Sequence, residues 1–321
     1  MNPPRILVVR LGAMGDIIHT LPAVASLKHS LAHSRICWIV EPKWQPLLAG
    51  NPYVDEIIPF DRRTLAGIRA GWRALRAQRF DFAVDFQGLI KSALIATAAR
   101  PERIFGFHQS EARESQAAWF YSNKTRTHSA HIVDRNLDLA GAAGAASVLR
   151  TFPLPVGSSE GRLPAQPYVL ACPLAGWGGK QWPLENYSRL GELLLRETGL
   201  MLVLNGPTEI AVPHTHAHAS SLDGLIHATR GAAAVVGLDS GPLHLAAALQ
   251  KPGVALFGPT DPARNGPYAA PITVLRSADA VTTYKRRDQT DASLRDITPE
   301  AVLAALKLRL VRAHAGASSN P

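Results

Sequence analysis

Three short stretches of this chain pair glycines with an acid, a base or a hydroxyl, a combination that brings backbone amides and reactive side chains close to a ligand. The first, Gly12-Ala13-Met14-Gly15-Asp16, follows a β-branched run and opens a helical pattern. Its turn offers amide donors and one carboxylate. Asp16 is either a helix-capping aspartate or a general base held at the mouth of a site, and spacing leaves both open. The stretch is not a dinucleotide fingerprint, because position 17 is Ile where the third glycine would stand, nor a P-loop, because no Gly-Lys-Ser/Thr follows.

The second stretch, Leu238-Asp239-Ser240-Gly241-Pro242-Leu243-His244, ends another apolar run. Asp239 and Ser240 would cap the next helix, Gly241 would leave its amides open, and His244 would sit about one turn in. That geometry suits a phosphate, although a plain capped helix with a surface histidine uses the same residues. The third, Gly176-Trp177-Gly178-Gly179-Lys180, carries one lysine on a glycine loop, either solvated or turned to an anion. Phe257-Gly258-Pro259-Thr260-Asp261-Pro262 has turn chemistry that structure alone can explain. His214, His216 and His218 would share one face if extended, but no carboxylate or cysteine accompanies them, so no metal site is expected.

These residues need a frame. Short apolar runs at 5–10, 36–40, 57–60 and 82–86 alternate with helical patterns at about 16–31, 64–78 and 88–99, followed by helical patterns near 113–122 and 129–143. Unbroken apolarity reads as parallel strands covered on both faces. A Pro-, Gly- and Ser-rich stretch at 151–167 interrupts the alternation. It then restarts, with strands at 168–172, 201–205, 234–238 and 253–257 and helices near 184–197, 221–229 and 242–249. The chain is therefore expected to be α/β, with two Rossmann-like doubly wound domains facing a cleft. The expected organisation is an N-terminal domain over 1–150, a linker over 151–167 and a second domain over 168–297. A closing helix over 298–313, opened by Thr298-Pro-Glu, could pack back on the N-terminal domain, and a disordered tail is expected from His314. Ligands of such sheets sit at the carboxyl ends of the strands, where all the stretches above lie.

Composition narrows the partner. The 321 residues are 46% hydrophobic and 18% charged, which excludes a disordered chain, and two cysteines inside apolar runs, Cys37 and Cys172, exclude a disulfide scaffold. Arg5 and Arg10 bracket only four apolar residues, too few for a secretory signal, and no run approaches a membrane span, so a soluble cytosolic chain is expected. A net charge of +9 points to an anion: nucleic acid, a phosphorylated small molecule or an acidic membrane. The basic residues are spread over both halves without an RNA-binding signature, which argues against nucleic acid.

GAMGDIIHTLPA at 12–23, DFQGLIKSA at 85–93, GKQWP at 179–183, GLDSGPLHLAAAL at 237–249 and FGPTDP at 257–262 together resemble glycosyltransferase family nine, the ADP-heptose:lipopolysaccharide heptosyltransferases. The resemblance implies the GT-B architecture, inversion at the sugar, an ADP-heptose donor held mainly by the second domain, no metal and no cofactor beyond that substrate. Asp16 matches the family's catalytic base. Lys180 matches a lysine on the donor phosphates, Ser240, Gly241 and His244 the pyrophosphate loop and helix, Asp239 a donor-site aspartate, and Glu209 a glutamate at the donor ribose. Lys91 and Arg113 match basic positions near a phosphorylated, Kdo-bearing, lipid-linked acceptor, and Arg62 and Arg63 fit the same use. Such an acceptor implies transient contact with the cytoplasmic face of the inner membrane. Departures are Ala175 and Gly176, where relatives carry hydroxyls, and the 11 residues from Glu209 to Ser221, fewer than the family's usual helix and strand. The alternatives are a related transferase using another nucleotide sugar or a protein acceptor, and a nucleotide-binding module without chemistry.

Overall fold

A computed structural model of the chain describes residues 3–283, 285 and 288–317 and divides into two compact units, with the break between Pro155 and Val156. The first unit contains β1 (Arg5–Val9), α1 (Met14–Ile18), α2 (Leu21–Ser30), β2 (Arg35–Val40), β3 (Glu56–Pro59), α3 (Leu65–Arg76), β4 (Phe82–Asp85), α4 (Ile90–Ala98), β5 (Arg103–Phe107), β6 (Asn123–Thr125) and α5 (Ile132–Ala142). Its sheet has the order β3-β2-β1-β4-β5-β6, every pair parallel. The β-branched run Ile6–Val9 is fully buried, as a central strand covered on both faces requires.

Connectivity decides which helices share a face. The chain steps outward from β1 to β3, then crosses back and steps the other way through β4, β5 and β6. Right-handed crossovers therefore put α3 and α4 on one face and α2 on the other. One apolar core joins α3 (Leu75), α4 (Ala93, Ala96) and a 3-10 turn at Ser115–Phe120 (Ala117) to sheet residues Val9, Ile39 and Ile104. Helix α2 packs with α5. The segment near 113–122, read as helical, is this 3-10 turn, with Ala117, Ala118 and Tyr121 buried in the core and Phe120 packed against it.

The second unit contains β7 (Tyr168–Ala171), α6 (Leu184–Thr198), β8 (Met201–Gly206), β9 (His216–Ala219), α7 (Leu222–Gly231), β10 (Ala234–Leu238), α8 (Gly241–Ala248), β11 (Gly253–Phe257), α9 (Pro262–Asn265), β12 (Ile272–Arg276), α10 (Ala292–Arg295) and α11 (Pro299–Ala317). Its parallel sheet has the order β12-β11-β10-β7-β8-β9. Helix α6 stops where Gly199 adopts a left-handed φ of +71°. The closing helix, which the sequence allowed to return to the N-terminal domain, packs against α6 and strands β10, β11 and β12 of its own unit. Trp182 donates its indole N–H to the carbonyl of Ile297 at 2.9 Å just before that helix. Helix α11 continues past His314 to Ala317, and residues 318–321 of the expected tail lie outside the described residues.

The expected linker over 151–167 is split by the break, its first five residues belonging to the first unit and the rest, from Val156, to the second. Glu160 accepts hydrogen bonds from the amide and hydroxyl of Ser221 at 2.7 and 2.6 Å, at the start of α7. The Nε2 atoms of His216 and His218 lie 2.7 Å from the carbonyls of Arg162 and Glu160. A carbonyl only accepts, so each ring donates there. His214 stands outside β9 with a φ of 60°. The three histidines thus do not converge, and two of them fasten the linker to an edge strand.

Candidate active site

In the first unit β1 delivers the chain into the glycine turn. Trp44 lies so close to Gly12 that a Cβ there would stand 2.8 Å from the indole nitrogen, which explains the glycine. Ala13, not Asp16, occupies the cap position of α1, and Asp16 sits in the first turn with its carboxylate accepting from the Ala13 amide at 3.1 Å. The other carboxylate oxygen meets Arg10 at 2.7 Å. Arg10 is buried and also donates to the carbonyl of Phe86. Thr20 donates to the carbonyl of Asp16 at 2.8 Å, and the buried Asn136 of α5 holds the carbonyl of His19 at 3.0 Å. A half-exposed carboxylate is thereby fixed from below by a buried guanidinium.

The basic candidates after β3, β4 and β5 fall into two groups. Arg113 approaches Asp16 at 4.0 Å. Lys91 has its amine pushed below its ordinary range by partial burial and by the positive charge of Arg62, with Arg113 adding to that effect. Lys91 thus lies within reach of the charges of Arg62 and Arg113, and Arg113 in turn reaches Asp16. Arg62 is held by Glu41, itself mostly buried, at 2.5 Å. Arg63 is exposed and paired with Asp61 of its own turn at 3.4 Å, apart from the group.

Asp85 explains how Lys91 and Arg113 are held. Fully buried at the end of β4, it accepts from the amides of Gln87 and Gly88, the Ser92 hydroxyl and the Tyr121 hydroxyl at 2.7 to 3.3 Å. Burial pushes its carboxyl up, against those four donors. The turn it organises needs Gly88, with φ +65°, and the Gly88 carbonyl accepts from the Glu114 amide at 2.9 Å, next to Arg113.

Glu111 anchors the same loop to the segment after β6 and to α5. Its carboxylate takes the Thr127 hydroxyl at 2.6 Å and amide at 3.0 Å and pairs with Arg135 at 3.2 Å. Burial would raise its pKa, but Thr127 and Arg135 outweigh it and hold the carboxyl below the ordinary glutamate range. A lowered folded value stabilises at neutral pH, and that stability disappears as pH falls through it. Glu111→Gln should therefore cost about 1–2 kcal/mol at pH 7. The gap to wild type should narrow progressively as pH falls below the ordinary glutamate range in thermal melts run across pH; a gap independent of pH would refute this.

In the second unit Lys180 ends a 3-10 turn after β7 and meets the Asp239 carboxylate, with the Trp177 ring 5.7 Å away. Asp239 is 8% exposed, and its other oxygen lies 3.8 Å from Nε2 of the buried His244. Ser240 is the cap residue of α8, but its hydroxyl turns to the Leu238 carbonyl at 3.4 Å and no side chain caps the first-turn amides. A cation, an acid, an imidazole and an open helix start thus meet at the ends of β7 and β10, a constellation able to receive phosphate groups. Glu209 lies exposed in the loop between β8 and β9 and makes no hydrogen bond or ion pair among the described residues. The space between these two strands holds no helix among the described residues, in keeping with the short sequence interval.

Arg10, Glu41, Trp44 and Asp85 were not singled out from sequence. Arg10 and Asp85 had one available signal, a charged residue at the inner end of an otherwise apolar strand.

The family model for glycosyltransferase family 9 (heptosyltransferase) matches residues 68–294 of the chain. Lipopolysaccharide heptosyltransferase 1 of Salmonella typhimurium is 30% identical, over 87% of this chain and 98% of that protein. Among solved structures, E. coli heptosyltransferase WaaC with ADP superposes with a TM-score of 0.77 at 26% identity, covering 95% of this chain and 99% of the other. WaaC with ADP-2-deoxy-2-fluoro heptose gives a TM-score of 0.75 at 25% identity, with the same coverage. Both matches span the two Rossmann-like units, so the GT-B architecture expected from sequence is present.

Proposed function

Because the chain belongs to glycosyltransferase family 9, the heptosyltransferases, we propose that it moves heptose from ADP-heptose to a Kdo-bearing acceptor of the lipopolysaccharide inner core, with inversion. The observation that supports this most is the Lys180–Asp239–His244 cluster, its acid and imidazole buried and its lysine partly so, at the start of α8, where Ser240 gives no side-chain cap. Donor pyrophosphate there would meet the ammonium, the imidazole and the helix amides, which stabilise charge on the departing ADP. Glu209 is assigned to the ribose.

Asp16 is the general base. It accepts the proton of the attacking acceptor hydroxyl as the new bond forms at the anomeric carbon and the bond to the ADP phosphate breaks. Arg10 holds the carboxylate in one rotamer, and a fixed base needs only one hydroxyl within reach. Arg113, Lys91 and Arg62 answer the anionic groups of the acceptor, with Arg63 at the margin. The scheme requires no metal and no cofactor. The lipid-linked acceptor puts the reaction at the cytoplasmic face of the inner membrane, and no helix among the described residues is long and apolar enough to cross it.

Ala175 and Gly176, where hydroxyls are usual, favour as a second reading a related nucleotide sugar as donor. Incubation with a panel of nucleotide sugars and a Kdo-bearing acceptor, with products weighed by mass spectrometry, tests both. A heptosyl adduct from ADP-heptose supports the first reading; product from another nucleotide sugar alone selects the second.

A further inference from the structure

The first unit has an outer face that the transfer chemistry leaves unused. Leu65 (73% exposed) and Trp119 (75% exposed), with Ile90 and Leu94, stand out from α3, α4 and the 3-10 turn at Ser115–Phe120. Those three elements cover one core on one face of the sheet, so their outward side chains belong to one outer surface. On α3 the outward stripe runs Leu65, Arg69, Arg73 at four-residue steps, while Gly71 and Leu75 face inward. Lys91 and Arg113 bound the same surface at the strand ends.

We propose that this face docks on an anionic lipid bilayer, with Trp119 and the aliphatic side chains entering the interfacial zone and the arginines of α3 facing headgroup phosphates. Charge complementarity carries the choice of occupant: cations flank the apolar side chains, as in peripheral binding to acidic lipid. Tryptophan is at home at the membrane interface. A nucleic acid would meet the arginines but offers nothing to Leu65, Ile90 and Leu94. Docking rests on exposure and charge; its bearing on turnover rests on the reading of the acceptor as lipid-linked. The surface lies beside the Lys91 and Arg113 group, so a headgroup-borne glycan would reach Asp16 from it.

The test is co-sedimentation of the full-length protein with vesicles of phosphatidylethanolamine and phosphatidylglycerol, and with phosphatidylcholine alone. Wild type should partition to the anionic vesicles and be released by salt. Leu65→Ser with Trp119→Ser, and separately Arg69→Glu with Arg73→Glu, should each lower partitioning at least about tenfold. Both should keep a native circular dichroism spectrum and wild-type kcat on a water-soluble acceptor, and raise KM only for acceptor carried in vesicles. Partitioning unchanged in both double variants would overturn the docking face while leaving the transfer reading intact. Vesicle binding by a chain that transfers no sugar would support docking and sink the transfer reading. Salt-sensitive binding to an oligonucleotide in place of vesicles, or a wild-type dimer that the apolar variant abolishes, would each replace the bilayer with another occupant and overturn the proposal.

Discussion

Asp16→Asn should lower kcat by about 10²–10⁴-fold, the span of a general base, while ADP affinity measured by calorimetry should stay at the wild-type value. The asparagine keeps the shape, but its single amide oxygen can replace only one of the two carboxylate oxygens that take the Ala13 amide and Arg10, so the glycine turn keeps one of these two ties. What it loses is the capacity to take a proton. The two effects separate because Asp16 belongs to the first unit and the phosphate-type cluster to the second. A thermal melt guards the interpretation: Arg10 keeps the Phe86 carbonyl but loses a charged partner, so a modest drop in Tm is expected. Transfer within tenfold of wild type would remove Asp16 from the base role. An equal loss of ADP affinity would mark the variant as generally damaged.

The arrangement around Asp16 also shows what sequence made legible. Strands β1 to β4, β7, β8, β10 and β11 and the helices between them were readable because parallel strands buried on both faces are written as unbroken apolar runs. Strands β6 (Asn-Lys-Thr), β9 (His-Ala-His-Ala) and β12 were not, since edge strands carry polar or half-exposed side chains, and β5 was missed because Gly106 interrupts its short apolar run. The spacing of His216 and His218 is that of a strand face, and in the structure both hold the linker. Lys180, Asp239 and His244 meet as their strand-end positions implied, whereas Glu209 stands apart in an exposed loop. Arg10 escaped notice because a cation ending a strand usually points to solvent, and its burial follows only once Phe86 and Asp16 are brought beside it across the β1–β4 pair.

Lys180→Met tests the other half of the reaction. The substitution keeps the stem and removes the ammonium, so it should weaken ADP binding by about 10- to 100-fold, the worth of one or two charge-assisted hydrogen bonds. It should also lower Tm, because Asp239, nearly buried, is left with an uncompensated charge. These two losses have different origins and a second substitution separates them. In the double variant Lys180→Met with Asp239→Asn, no charge is stranded, and stability should return most of the way to wild type. Affinity for ADP should stay at least tenfold weaker, because the cation that meets the phosphates is still missing. Recovery of ADP affinity to within about twofold in the double variant would show that Lys180 serves only to neutralise Asp239. The phosphates would then depend on the amides of α8 and on His244, and the first residue to replace next would be Gly241, whose side-chain-free position opens that helix.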